Sequence, residues 1–161
     1  MKRWLSIALA LCLALCLALG AVNASAQGGY AGRSGRYVFG QEPSLAQMEA
    51  ELIRQVNQER AKYGLGALSQ SSALSQAAQT RGQEIRQSFS HTRPDGSSWR
   101  TVSTAARGEN IARGQQSVDK VMAAWMTSQG HRANILRSSY RSIGVSVQRE
   151  GNVLYWVQLF G

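Results

Sequence analysis

Two runs of β-branched and aromatic residues close the chain, Ser142 to Gln148 and Val153 to Phe160. Only Arg149-Glu150-Gly151-Asn152 separates them. A connection this short, with glycine inside it, pairs the two runs antiparallel as a hairpin. The segments before the hairpin have the opposite period. Leu45, Met48, Leu52, Val56 and Arg60 recur at helical spacing, with Ile53 widening the stripe. Helices that precede strands, rather than alternating with them, define an α+β domain.

The first helix starts at Pro43-Ser44, where Ser44 and Gln47 fit a capping box, and Gly64 ends it. Asn57 and Arg60 lie on or beside the apolar stripe and read as ties to a neighbouring loop. A second helix spans about Ser71 to Ser88, with Leu74, Ala77, Ala78, Arg81 and Ile85 on one side. Its alanines permit close packing. An extended segment is expected near Thr101. A third helix covers Val118 to Thr127, with Val121, Met122 and Trp125 inward. Gly130 is expected to break it, and His131 to Leu136 to add one further helical turn.

The N-terminus has a different purpose. Lys2 and Arg3 precede an apolar run from Leu5 to Leu19, and Ala24-Ser25-Ala26 supplies a small-x-small cleavage site before Gln27. This is the pattern of a secretory signal peptide over residues 1–26. The run is short of the roughly 20 apolar residues that span a bilayer, so no transmembrane segment is expected after cleavage. Cys12 and Cys16 both follow leucine, unlike a lipid-attachment site, and both leave with the leader. Export usually brings disulfides to a small domain. Here the core has to carry the stability. Residues 27–43 hold Gly28, Gly29, Gly32, Gly35 and Gly40 among arginines and read as a flexible arm. Residues 44–161 then form one domain.

The formal charge of +9 becomes +7 without Lys2 and Arg3. The excess is scattered, and an exported protein rarely meets nucleic acid, so no nucleic-acid partner is expected. Attraction to anionic cell-envelope components is the better reading of the charge. The destination is periplasmic, cell-envelope or extracellular.

The chemistry-bearing residues fall in three motifs. They are Phe89-Ser90-His91-Thr92-Arg93-Pro94-Asp95-Gly96, Gly108-Glu109-Asn110-Ile111-Ala112, and Ser128 to Leu136 with Gly130-His131 inside it. His91 and His131 are the two histidines of the chain. They stand among glycines and polar residues, where loops place functional groups. Asp95 reads as a turn residue beside Pro94 and Gly96, and Trp99 as core.

Together with Val56-Asn57-Gln58-Glu59-Arg60, Gly64-Leu65-Gly66-Ala67-Leu68, Tyr140, Ile143-Gly144-Val145 and Tyr155 to Gly161, these motifs resemble the CAP superfamily. This is the SCP/PR-1-like, or cysteine-rich secretory protein, domain, here in its bacterial form. The resemblance runs from about Leu45 to Gly161. It implies a three-layer α-β-α sandwich with a central antiparallel sheet. It also implies a cleft lined by two histidines and two acidic residues. His91, Glu109 and His131 match three of these. Ser128, in Trp125-Met126-Thr127-Ser128, stands where the second glutamate of a W-x-x-E motif would be, as is common in the bacterial branch. Disulfide-rich eukaryotic relatives differ from this chain, whose cysteines are both in the leader.

Two imidazoles facing one cleft can hold a divalent metal such as zinc. A carboxylate beside them can ligate directly, or orient an imidazole through its other nitrogen. The metal set read from the sequence is therefore His91, His131 and Glu109. The catalytic candidates are His91, Glu109, Ser128 and His131. Ser128 and His131 are three apart, as a nucleophile and base on one helical turn would be. No G-x-S-x-G elbow supports that pairing, and Ser128 equally fits a helix cap. Asn134 and Gln158 read as supporting polar residues, and a structural hydrogen-bond network is the alternative for the whole set. The expected function is a non-enzymatic exported module that binds a small molecule, lipid or peptide in its cleft, or envelope material. The alternatives are a metal-assisted extracellular hydrolase of peptide, ester or cell-wall bonds, and envelope adhesion through arginine-rich surfaces alone.

Overall fold

The structure, a computed structural model, describes residues 42–161. The leader, and all but the last two residues of the arm, lie outside the described residues. The elements run in the order α1 (Leu45–Lys62), β1 (Ser69–Gln70), α2 (Ser72–Gln87), a 3-10 helix (Trp99–Val102), β2 (Gly108–Arg113), α3 (Val118–Thr127), α4 (Gln129–Ile135), β3 (Ser142–Glu150) and β4 (Val153–Phe160).

The capping box at Ser44 is formed. Gln47 N donates to Ser44 Oγ at 3.2 Å, and Ser44 N donates to Gln47 Oε1 at 2.8 Å. At the other end Gly64 takes φ +66°, a left-handed conformation that stops the helix cheaply only in glycine. The buried residues of α1 are Met48, Leu52, Val56 and Arg60, the stripe its spacing foretells. Arg60 is fully buried. It donates to the carbonyls of Gly66, Ile135 and Arg137 at 2.9, 2.8 and 3.0 Å, while Asn57 exchanges two hydrogen bonds with the main chain of Leu68. Both polar residues are therefore loop ties.

β3 and β4 form the terminal hairpin. Their pairing extends to Glu150 and Val153, so the turn is Gly151-Asn152, two residues shorter than the sequence suggests. The sheet order is β1-β3-β4-β2. β2, β4 and β3 are antiparallel, and the two-residue β1 adds a parallel edge beside β3. Alternation along the strands gives the sheet two apolar faces. Ile111, Tyr155, Val157 and Leu159 pack with Leu74, Ala77, Ala78 and Ile85 of α2. Ala112, Val145, Val147, Leu154, Trp156 and Phe160 pack with α1, α3 and Ile135 of α4. These are the three layers of an α-β-α sandwich. α2 lies tight on β3: a Cβ on Gly144 would come within 2.1 Å of the Leu74 carbonyl carbon.

Two local expectations are corrected. The segment near Thr101 is a 3-10 turn and not extended. Thr101 N and Oγ1 both donate to the Ser98 carbonyl, at 3.0 and 2.8 Å, and such local bonds outcompete a strand. The break between α3 and α4 falls at Ser128 (φ −89°, ψ 120°), and Gly130 lies inside α4. Thr127 Oγ1 donates back to the carbonyls of Ala123 and Ala124, which occupies the last turn of α3 just before the break.

Candidate functional site

β2 is the edge strand opposite β1, and its first residues divide between the two faces. Glu109 points to the α2 side and Asn110 to the side of α4. The Glu109 side chain is fully buried. It is met there by Arg81, the one cation on the inward face of α2. Arg81 Nε donates to Glu109 Oε2 at 2.8 Å and Nη2 to Oε1 at 3.3 Å. The remaining donors of the fork reach Glu84 Oε2 at 2.6 Å and the Ser90 carbonyl at 2.7 Å. Burial works to lower the Arg81 pKa, but the hydrogen bonds to Glu109 and Glu84 outweigh it, so the guanidinium is held more firmly charged than usual.

His91 follows α2 in the loop, and its Nδ1 lies 2.7 Å from Glu109 Oε1. A carboxylate oxygen can only accept, so in this pairing His91 Nδ1 is the donor and carries the proton. Nε2 is left as the free nitrogen of a side chain that is 54% exposed. The loop is pinned at several points. Trp99 N donates to the His91 carbonyl at 3.2 Å, and Arg93 forks onto Glu84. Asp95 Oδ1 accepts from Ser97 N at 2.9 Å, the turn role expected of it. Arg81, Glu109 and His91 thus form a charge-assisted chain that runs from the core to the surface and fixes one imidazole.

The other half of the motif works through Asn110. Its Nδ2 donates to the His131 carbonyl at 3.1 Å and to Gln158 Oε1 at 3.0 Å. Asn134 Nδ2 donates to the Glu109 carbonyl at 3.1 Å and to Asn110 Oδ1 at 2.9 Å. Asn134 and Gln158 are supporting residues, as expected. Asn134 ties α4 to β2, and Gln158 on β4 holds the Asn110 amide that reaches the His131 carbonyl. The His131 ring meets Trp125 edge to face, with centroids 6.4 Å apart. Burial, and then the charge of nearby His91, hold His131 below its ordinary pKa, so it favours the neutral form that a metal requires.

A cavity of about 890 Å³ opens beside His91 and Glu109, with Trp99, Asn134 and Tyr140 in its wall. Trp99 is half-buried against the α2 side of the core, so it serves both core and cavity. Among the described residues, no three His, Cys, Asp or Glu side chains are grouped to hold a metal. Both Glu109 oxygens are already engaged. His91 and Glu109 line the cavity, whereas His131 and Ser128 are not among its lining residues. Ser128 makes no side-chain cap bond, and among the described residues no hydrogen bond joins it to His131.

Arg81 is the functional residue that sequence reading did not single out. Its signal was there, a cation at an inward position among alanines, but nothing local identifies the partner 28 residues away.

A three-layer sandwich with a histidine–carboxylate cleft at the edge of its sheet defines a class of proteins. The family model of CAP, the cysteine-rich secretory protein family, matches residues 53–160. The chain belongs to that family. It is 35% identical over 125 residues to the uncharacterized protein YkwD of Bacillus subtilis (strain 168), a match that covers 73% of this chain and 48% of the relative. The chain spans about half, or less, of the length of the curated relatives it matches. An outer surface protein from Borrelia burgdorferi has the same fold, with a TM-score of 0.66 and 19% identity over 75% of this chain and 96% of that one. So does NaASP2, in a structure with Zn2+, with a TM-score of 0.57 and 14% identity over 71% and 78%. No helix among the described residues is long and apolar enough to cross a membrane.

Proposed function

We propose that this protein is an exported, non-enzymatic binding module of the cell envelope or its surroundings, whose cleft takes a ligand at His91. The observation that carries this reading is the commitment of Glu109. Its carboxylate is buried and receives hydrogen bonds from Arg81 on both oxygens and from His91 on one. A general base needs a carboxylate free to take a proton, and this one is spent on holding an imidazole. That favours binding over metal-assisted hydrolysis of peptide, ester or cell-wall bonds. His91 Nε2 and His131 are the groups that would hold a divalent metal such as zinc, with Glu109 supporting His91 from its other nitrogen. A bound metal would supply a Lewis-acidic anchor for a ligand atom. The outer-surface relative and the leader pattern support export, and the zinc-bearing relative supports the choice of metal to try first.

The test is calorimetric titration of zinc into the purified protein and two variants. One-to-one binding lost in His91→Ala/His131→Ala, and weakened about 10–100-fold in Glu109→Gln, is the expected outcome. Equal binding in the wild type and the double variant would overturn the metal reading. Chelator-sensitive turnover of an ester or peptide, lost in Glu109→Ala, would overturn the non-enzymatic one.

A further inference from the structure

The cavity beside His91 has a cationic wall. Arg100, Arg107 and Arg137 line it, and all three are exposed. None of the three makes an ion pair among the described residues, although Arg81, Arg86 and Arg93 all do. Arg107 Nη1 donates only to the carbonyls of Thr104 and Ala106, at 2.7 and 3.4 Å. The Arg100 guanidinium lies over the Trp99 ring, 4.9 Å from its centroid, and that of Arg137 over Tyr140 at 5.5 Å. Stacking of this kind steadies a guanidinium by its face and leaves its N–H groups free.

The wall holds little to neutralise them. Its one acidic side chain is Glu109, which Arg81 already pairs, and the Gly161 carbonyl in the same wall accepts from the amides of Arg141 and Ser142 at 2.7 and 3.0 Å. Guanidinium forks match the paired oxygens of phosphates and carboxylates, and charge-assisted bonds to them are the strong ones. A volume of about 890 Å³ lies in the range of small-molecule sites, far larger than a lone ion needs. Ser139 adds a neutral hydroxyl to the same wall.

We propose that this cavity binds a sugar or polyol bearing an oxyanion, a phosphate or a carboxylate, with Arg100, Arg107 and Arg137 as its clamp. The proposal rests on reading the His91 cleft as the binding site and names the ligand class for it. It differs from diffuse attraction to the envelope, because three particular arginines carry it.

The test is titration of the purified protein, followed by NMR at fixed ionic strength, with sn-glycerol 3-phosphate, glucuronate and the uncharged controls glycerol and glucose. One or both anions bind at the cavity and the neutral compounds do not. Which anion binds distinguishes a polyol phosphate from an acidic sugar. Arg107→Gln/Arg137→Gln weakens that binding by about tenfold or more, the loss of two charge-assisted contacts. Arg113→Gln/Arg149→Gln removes the same charge from exposed positions that are not in the cavity wall, and leaves it unchanged. Zinc titration of the wild type separates the two readings: anion binding without zinc binding fails the metal reading alone, and zinc binding without anion binding fails this one alone. Anions that bind no better than glycerol and glucose overturn the proposal. So does equal weakening by the two arginine pairs, which would mean diffuse attraction only.

Discussion

Replacing Arg81 with methionine tests the chain that fixes His91. The side chain stays long and apolar enough to fill its place on α2, but the guanidinium goes. Four hydrogen bonds are lost, two of them to Glu109. Glu84 keeps its bonds from Arg93, so it is not orphaned. The cost therefore falls on Glu109, a carboxylate with no exposed side-chain surface and only His91 left to it. Breaking a buried pair from one side costs about 3–5 kcal/mol. For a domain of this size that lowers Tm by about 10 °C or more. Replacing both partners, Arg81→Met with Glu109→Leu, removes the stranded charge and restores most of the loss. Urea unfolding of the wild type, both single variants and the double variant closes the cycle, with an expected coupling of about 2 kcal/mol or more. A loss below about 1 kcal/mol for Arg81→Met, or additive single effects, would refute the reasoning, because the pair would then behave as an exposed one does.

Two further predictions concern the scaffold. Burial pushes the Glu84 carboxyl upward, but hydrogen bonds from Arg93 and Arg81 hold it below the ordinary 4.5. A folded pKa below the unfolded one gives stability that is complete above about pH 4.5 and is lost as pH falls through the folded value. Acid unfolding of Glu84→Gln should therefore be shallower below pH 4.5 than that of the wild type, and superimposable acid transitions would contradict this. Gly144→Ala puts a Cβ against the backbone of α2, so α2 must shift off the sheet; the expected cost is about 1–3 kcal/mol, read from denaturant midpoints, and an unchanged midpoint would mean that α2 is not packed so tightly.

What the sequence made legible is what local rules govern. The Ser44 box, the α1 stripe, the span of α3 and the terminal hairpin follow from capping, period and turn length. Asn57 and Arg60 stood out as polar residues on or beside an apolar face, and such residues need partners. The break at Ser128 was misplaced because glycine is the stronger general breaker, while the side-chain bonds of Thr127 sit beside the actual break. The 3-10 turn at Trp99 was missed for the same reason at Ser98 and Thr101. The site itself was half legible. Its histidines and glutamate came from motifs, but their division of labour did not. That Glu109 serves His91, and that Arg81 holds Glu109, depends on a contact between α2 and β2 that no local pattern encodes. The three cavity arginines were likewise hidden among scattered charge, because only the fold brings Arg100, Arg107 and Arg137 to one wall.

The most direct test of the central claim is the tautomer of His91, read by long-range proton–nitrogen NMR at mildly alkaline pH with and without zinc. If Arg81 and Glu109 orient this imidazole for binding, His91 carries its proton on Nδ1, and zinc perturbs Nε2 of His91 together with His131. A His91 ring protonated on Nε2, or one whose nitrogens ignore zinc, would contradict the account and leave the chain from Arg81 to His91 as scaffold alone.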